Sequence, residues 1–127
     1  MEHTGAFERL QRCLAAFQRA THGAVSIQLL VTFLEVARGE GRTQVEIAKA
    51  IGLPESTSSR QLLDLGPFDR KKQPGFGLVD GRIDPMDMRV KRYMLTPRGK
   101  ALAEIMAALL AGEAPTALAR ELAALEG

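Results

Sequence analysis

The stretch that decides the fold reads Asp84-Pro-Met-Asp-Met-Arg-Val-Lys-Arg-Tyr-Met-Leu-Thr-Pro-Arg-Gly99. Its first half predicts the tip of a β-hairpin, because Asp84-Pro85 and Met86-Asp87 supply turn chemistry between two strand patterns, 78–83 and 90–95. Its second half predicts a helix start. Thr96 can accept hydrogen bonds from the first backbone N–H groups, and Pro97 suits the first helical position, which needs no donor. A basic hairpin is therefore followed directly by a helix.

Upstream of the hairpin, residues 44–65 predict two helices joined by a tight turn. Thr43-Gln-Val-Glu46 has the pattern of a capping box, and Gly52 ends the helix that begins there. The second helix, 55–65, has three leucines as anchors: Leu62, Leu63 and Leu65. Helix, glycine-containing turn and helix in this order form a helix-turn-helix, whose second helix enters the major groove in many DNA-binding proteins.

The front of this second helix is polar and allows two interpretations. The residues concerned are Ser56, Thr57, Ser59, Arg60 and Gln61. A solvated helix start is one interpretation, because serine favours caps. The other is a recognition helix in which Ser and Thr contact phosphate or bases and Arg grips guanine. The neighbouring basic hairpin favours the second interpretation.

Two amphipathic helices are predicted before this motif. From residue 6 to about residue 20, apolar residues recur at three- and four-residue steps: Phe7, Leu10, Leu14 and Phe17. A second helix begins near Ser26 and ends before Gly39. Its predicted buried face consists of Ile27, Leu30, Val31, Leu34 and Ala37.

The chain after Pro97 is also predicted to be helical. One apolar stripe consists of Leu102, Ile105, Met106 and Leu109. A shorter final helix after Gly112 and Pro115 carries Leu118, Leu122 and Leu125. Short helices and one hairpin cannot cover this much apolar surface, so we expect a second subunit.

Charge is concentrated in the middle of the chain. Residues 60–100 carry ten basic and five acidic side chains, whereas residues 1–59 are balanced and residues 101–127 have a net charge of −3. The segment 66–77 is a loop by composition, with a basic centre at Arg70, Lys71 and Lys72. A positive middle between neutral and acidic flanks indicates a surface for a polyanion such as nucleic acid.

Other classes of function find no support in the sequence. No apolar run approaches the roughly 18 residues of a membrane span, and no secretory signal pattern is present, so we expect a soluble, cytoplasmic protein without a membrane partner. His3 and His22 lack partners at metal-ligand spacing. No catalytic set or phosphate-binding glycine loop appears, so we expect neither an enzyme nor a cofactor. Asp84 and Asp87 read as an ion-paired turn with Arg82 and Arg89 rather than as acid–base carboxylates.

The single cysteine, Cys13, excludes an internal disulfide and a cysteine-based zinc site. A reactive thiol needs a pKa lowered by positive charge or by a helix N-terminus. Cys13 has Arg9 and Arg12 nearby in sequence but lies next to the apolar stripe, so we favour a buried structural cysteine.

With these features the sequence resembles the MarR family of winged helix-turn-helix transcriptional regulators. Asp84-Pro-Met-Asp-Met-Arg89 matches the family's acidic wing turn with Asp-x-Arg, and Leu95-Thr-Pro-Arg-Gly99 matches the Leu-Thr-x-x-Gly that opens its dimerisation helix. Residues 44–48, 52–53 and 56–60 match its helix-turn-helix in register. The resemblance covers about residues 26–110.

The resemblance implies a mainly α fold with a small β-hairpin wing, in one domain over 1–127. Residues 1–25 and 97–127 would supply dimerisation helices, and 26–96 the DNA-binding lobe. It implies a homodimeric repressor on a pseudo-palindromic double-stranded DNA site, and relatives often bind small aromatic effectors, although no residue set here identifies an effector. Of the predicted DNA-binding residues, the resemblance implies the recognition-helix contacts Ser56, Thr57 and Arg60 and the wing residues Asp87 and Arg89. The polar front of the helix adds Ser59 and Gln61, and the basic charge adds the phosphate contacts Lys71, Lys72, Arg82, Arg92 and Arg98.

The sequence also departs from the family pattern. Ser58 and Gln61 stand at positions that are usually apolar, Met88 stands where a second wing arginine is common, and the 66–77 loop is long. Two alternative functions stay open: a winged-helix module that binds a protein, and a plasmid or phage replication or partition factor.

Overall fold

A computed structural model describes residues 2–23, 26–69 and 71–113. Within them the chain forms five helices and one antiparallel hairpin, the mainly α class with a β-hairpin that the sequence predicts. In chain order the elements are α1 (Thr4–Ala20), α2 (Ile27–Arg38), α3 (Gln44–Ile51), α4 (Glu55–Leu65), β1 (Val79–Asp84), β2 (Asp87–Leu95) and α5 (Pro97–Ala111).

The chain divides into two compact units. One comprises the described parts of Met1–Val25 and Lys100–Gly127, and the other is Ser26–Gly99. The second unit holds the helix-turn-helix and the hairpin, and with them the predicted DNA-contact residues.

The helix-turn-helix forms as predicted. The Thr43 hydroxyl accepts from the Glu46 N–H at 3.3 Å, and the Glu46 carboxylate accepts from the Thr43 N–H at 3.2 Å, which completes the capping box. Gly52 ends α3 at φ +68°, a left-handed backbone that glycine adopts without steric cost, and the Leu53 N–H returns to the Ala48 carbonyl at 3.1 Å. The turn into α4 thus depends on this glycine.

The buried face of α2 differs from the predicted one. Its interior residues are Leu29, Leu30, Thr32, Phe33, Glu35 and Val36. Ile27 and Leu34 are exposed, so their predicted burial is wrong. Most residues of this helix are apolar, so periodicity alone does not select the buried face. Thr32 and Glu35 can be buried because the Thr32 hydroxyl donates to the Gln28 carbonyl and the Glu35 carboxylate is ion-paired.

The hairpin has the predicted turn and one irregularity. Strand β1 pairs with β2 from Val79 opposite Leu95 to Ile83 opposite Lys91, and the register shifts between Ile83 and Asp84. Arg42 adds an antiparallel bridge to Tyr93 on the other side of β2. The end of the α2–α3 turn is therefore joined to the second strand of the hairpin.

The start of α5 is also as predicted. The Thr96 hydroxyl accepts from the Gly99 N–H at 3.0 Å and donates to the Gly77 carbonyl at 2.6 Å. Gly99 is required by packing, because a Cβ there would lie 2.0 Å from the Leu78 carbonyl oxygen. The glycine of the Leu-Thr-x-x-Gly pattern thus lets the first turn of α5 approach the strand backbone.

In the first unit, α1 buries Cys13, Ala16 and Phe17. Of the predicted stripe on α1, only Phe17 is buried, and Phe7, Leu10 and Leu14 are exposed. Helix α5 buries Leu102, Ile105 and Met106 and ends before Gly112, as predicted. The predicted final helix with Leu118, Leu122 and Leu125 lies outside the described residues.

Candidate nucleic-acid interface

One groove joins the starts of both helices of the helix-turn-helix to the hairpin. It has a volume of about 430 Å³ and is lined by Thr43, Gln44, Val45, Glu55, Arg89, Val90, Lys91 and Tyr93. Across its floor the Gln44 amide donates to the Glu55 carbonyl at 2.9 Å, which ties the start of α3 to the start of α4. The first turns of both helices and strand β2 therefore share one surface.

The front of α4 is accessible on this unit. Ser56 and Arg60 are exposed, and Thr57, Ser59 and Gln61 are half-buried. Pro54 precedes the helix, so no side chain caps its first turn. An uncapped helix start presents backbone N–H groups and the positive end of the helix dipole, which attract anions.

The other side of α4 faces the interior. Leu62 and Leu65 are buried, whereas Leu63 is exposed, so its predicted role as an anchor is wrong. Ser58 is fully buried, and its hydroxyl has no hydrogen-bond partner among the described residues. The departure from the family pattern at Ser58 thus leaves an unsatisfied polar atom under the helix.

The hairpin tip presents Arg89 beside the carboxylate of Asp87. Arg89 is 90% exposed, and its Nε lies 3.1 Å from Asp87 Oδ1. The same carboxylate oxygen accepts from the Arg89 N–H at 3.1 Å, and the second accepts from Nη2 at 3.3 Å. These contacts with Arg89 lower the pKa of Asp87 below its ordinary value. The Asp-x-Arg spacing therefore orients the guanidinium without burying it.

The remaining hairpin charges are paired differently from the sequence prediction. Asp84 accepts from the Met86 N–H at 2.8 Å and from Arg92 Nε at 2.9 Å, and these bonds lower its pKa. Arg82, directly opposite Arg92 in the register, lies 3.5 Å from Asp80. The ion-paired turn is thus confirmed, but the partner of Asp84 is Arg92 rather than Arg82. Asp84 lies two residues beyond Arg82 on β1, so it is the diagonal neighbour of Arg92 on the same face of the hairpin.

Arg92 and Arg98, both predicted to contact phosphate, also form hydrogen bonds within the fold. Arg92 Nη1 donates to the Gly41 carbonyl at 3.0 Å, which ties the hairpin to the α2–α3 turn. Arg98 donates to the Phe76 carbonyl and is half-buried. Lys71 and Lys72 are exposed on the 66–77 loop, whereas Arg70 lies outside the described residues.

The sequence reading missed the cluster that holds the α2–α3 turn in place. Glu35 is buried and forms ion pairs with Arg38 at 3.0 Å and with Arg42. Arg42 also donates to the Gly39 carbonyl at 2.9 Å, and Glu40 accepts from the Leu95 N–H at 2.9 Å. The hydrogen bond from Arg42 is the main cause that lowers the pKa of Glu35. The sequence signal that could have indicated this cluster is Glu35 itself, an acidic residue on a mostly apolar helix.

The remaining candidates carry no site within the described residues. Cys13 is buried, and burial raises the pKa of its thiol, which opposes the reactive-thiol reading. No cluster of potential metal ligands occurs among residues 2–23, 26–69 and 71–113. In the same ranges, no helix is long and apolar enough to cross a membrane.

Comparison with solved structures identifies the fold. A MarR-family transcription regulator superposes with a TM-score of 0.56 at 26% identity, over 84% of this chain and 65% of the other. The transcriptional repressor CouR, solved bound to a 23-mer DNA duplex, gives 0.60 at 22% identity, over 93% and 75%. BpsR of Bordetella bronchiseptica, whose DNA binding is regulated by 6-hydroxynicotinic acid, gives 0.54 at 23%, over 93% and 73%.

The chain thus spans 65% to 75% of the length of these three proteins. No protein-family model and no curated protein sequence matches it. The structural similarity confirms the winged-helix fold that the wing and helix-start motifs predict.

Proposed function

We propose that this chain, which has the fold of the MarR-family transcription regulators, is a sequence-specific regulator that binds double-stranded DNA. The observation that carries the proposal is the single surface on which the helix-turn-helix and the tip of the hairpin meet. A helix and a hairpin side by side can enter a major groove and the adjacent minor groove of one duplex.

Base recognition would come from α4. Its exposed Ser56 and Arg60, with the half-buried Thr57, Ser59 and Gln61, offer both donors and acceptors. An arginine can read guanine through two hydrogen bonds, and hydroxyls accept or donate according to the base. Helix α4 would therefore set the sequence preference.

The wing would read the minor groove through Arg89. The Asp87 carboxylate holds the guanidinium on the strand while 90% of the side chain stays exposed. Narrow A·T-rich minor grooves have an enhanced negative potential that attracts arginine. Met88 beside it is exposed but uncharged, so Arg89 would make this contact alone.

Phosphate contacts would come from Arg82 and Arg92. Both are exposed in the second unit. Such contacts fix the register of a protein on DNA and give binding its salt dependence. Arg98, bound to the Phe76 carbonyl, would contribute mainly by holding the loop.

The first unit would provide a homodimer. Phe7, Leu10 and Leu14 are exposed along one face of α1, and three large apolar residues at helical spacing favour contact with a second helix. Two-fold symmetry implies a pseudo-palindromic DNA site, and the regulator would act in the cytoplasm as a repressor that blocks polymerase. A small-molecule effector is compatible with this arrangement.

Selection of bound duplexes from random or genomic DNA tests the proposal most directly. We expect a two-fold symmetric site with half-sites about one helical turn apart. Recovery of no enriched sequence would oppose a sequence-specific regulator, and an enriched site without symmetry would oppose the dimer.

A further inference from the structure

Within the 66–77 loop, which the sequence leaves as an irregular connection, residues 66–69 and 71–77 form a small hairpin held by backbone hydrogen bonds. At its tip the Asp69 N–H donates to the Gln73 carbonyl at 2.8 Å, and the Lys72 N–H donates to the Asp69 carbonyl at 3.1 Å. Asp69 Oδ1 also accepts from the backbone N–H groups of Lys71 at 2.9 Å and Gln73 at 3.0 Å. One carboxylate thus organises the turn from within.

This small hairpin is attached to the end of the candidate recognition helix. The Phe76 N–H donates to the Asp64 carbonyl at 2.9 Å, and the Leu78 N–H donates to the Leu65 carbonyl at 2.8 Å. A Cβ at Gly75 would lie 2.2 Å from the Gly66 carbonyl oxygen, so this close approach of two backbone segments requires glycine. The tip therefore has a fixed attachment to α4.

Lys72 occupies a backbone position that lysine seldom adopts. Its φ is +60°, in the left-handed region that Gly and Asn enter more readily. A charged side chain is thus present where glycine would suit the backbone better. A residue held in a disfavoured backbone region motivates a search for a role of its side chain.

The two lysines at this tip also differ from the arginines of the wing. Arg82, Arg89 and Arg92 each lie within ion-pair distance of a carboxylate. Within the described residues, Lys71 and Lys72 form no ion pair, because Asp69 is engaged with backbone N–H groups. Lysine is a compact point charge on a flexible stem, which suits phosphate oxygens better than base edges.

We propose that residues 66–69 and 71–77 form a second DNA-binding hairpin, which places Lys71 and Lys72 on the phosphate backbone of the duplex that α4 reads. This inference rests on the proposed DNA-binding function. It assigns the tip a contact that is independent of base sequence, and it assigns Asp69 and Gly75 the role of holding the tip in position.

The test compares the double variant Lys71→Ala/Lys72→Gly with Lys100→Ala, which removes an exposed positive charge from α5. Fluorescence anisotropy on the selected duplex is measured between 50 and 200 mM salt. Each lost phosphate contact lowers the slope of log K against log salt by about 0.9. A bound homodimer carries two such tips and therefore four of these lysines, so the double variant should lose about 3.6. Its binding defect should then be on the order of 100-fold larger at the lowest salt than at the highest.

A second variant, Asp69→Asn, tests the same contact from the opposite side. The amide oxygen can still accept from the two backbone N–H groups, while a negative charge near the phosphates is removed. We expect tighter binding at 50 mM salt, with unchanged sequence preference. The double variant should keep the wild-type melting temperature or exceed it, because glycine suits the left-handed position.

The outcomes separate the two proposals. A wild-type salt slope in the double variant, or no gain in Asp69→Asn, overturns the second hairpin while the proposed function stands. A slope change equal to that of Lys100→Ala overturns it as well, since any surface charge would then serve. Absence of duplex binding by the wild-type chain overturns the proposed function and this inference together.

Discussion

Two arginine–carboxylate pairs in the second unit have similar chemistry and opposite surroundings. The Glu35 side chain is 8% exposed and that of Arg42 25%, whereas Arg89 is 90% exposed and Asp87 41%. The first pair holds the α2–α3 turn, and the second presents a guanidinium at the tip of the hairpin. We therefore expect burial to decide whether such a pair stabilises the fold or leaves its arginine accessible to a binding partner.

Electrostatics gives the reason for this difference. A buried carboxylate has lost its hydration and must be compensated by its partner, so removal of the partner is expensive. An exposed pair is screened by water and counterions, so it adds little stability and its arginine stays accessible to a binding partner. Substitution of one arginine at a time separates the two roles, because loss of the buried pair should lower stability and loss of the exposed pair should lower binding.

The largest effect is expected from Arg42→Ala. It leaves Glu35 buried with only the exposed Arg38 as a partner and also removes the bond to the Gly39 carbonyl. We expect a loss of about 3 kcal/mol in the free energy of unfolding, measured with urea. Arg38→Ala is the matched control, and an equal loss there would show that the burial of Arg42 is unimportant.

Arg89→Ala should instead affect binding. We expect DNA affinity to fall by about 1–3 kcal/mol, with a weaker preference for A·T pairs at the flanks of the site. The urea midpoint should stay at the wild-type value, because the side chain is almost fully exposed. Unchanged affinity and preference in a fluorescence titration would refute the assignment of the wing.

Ser58 supplies a third case, a buried hydroxyl that has no hydrogen-bond partner among the residues the structure describes. Ser58→Ala removes the unsatisfied hydroxyl and introduces a better helix former, so we expect the free energy of unfolding to rise by about 1 kcal/mol. Thermal or urea unfolding measures this change. A loss of stability would mean that the hydroxyl has a partner in solution, such as a bound water.

The smallest expected effect is a dependence of stability on pH. The folded pKa of Glu35 is lowered, chiefly by Arg42, so its contribution is complete above the unfolded-chain pKa of about 4.3 and is lost as the pH falls through the lower folded value. Urea unfolding between pH 3 and 6 should therefore show a shallower acid loss in Glu35→Gln than in the wild type. Parallel curves would remove Glu35 as the source.

Local signals in the sequence are sufficient to predict the helix starts, the helix break and the Asp87–Arg89 contact of the wing. The capping box at Thr43, the break at Gly52 and the start at Thr96 all form as predicted, because each depends on hydrogen bonds among a few consecutive residues. The Asp87–Arg89 contact is likewise local. The DNA-contact residues stay predictions, since no bound duplex tests them.

Contacts between residues far apart in sequence could not be predicted in the same way. The choice of buried face on α2, the pairing of Arg92 with Asp84 and Gly41, and the use of Arg98 as a loop anchor depend on residues far apart in sequence. A helix that is apolar on most sides and a hairpin rich in arginine both allow several arrangements. Cross-strand register and the position of the α2–α3 turn select among them.

The sequence by itself determined where the helices of the helix-turn-helix and α5 begin, because caps and glycines act over three or four positions. The strands, predicted as 78–83 and 90–95, are Val79–Asp84 and Asp87–Leu95, so the second strand starts three residues earlier than predicted. The sequence also determined the charge of the middle segment and the Asp-x-Arg geometry of the wing. Only the tertiary structure decided that residues 66–69 and 71–77 form a small hairpin and that Glu35 is a buried ion-pair centre. Both result from contacts with groups distant in sequence, whose free energy appears only after the chain has folded.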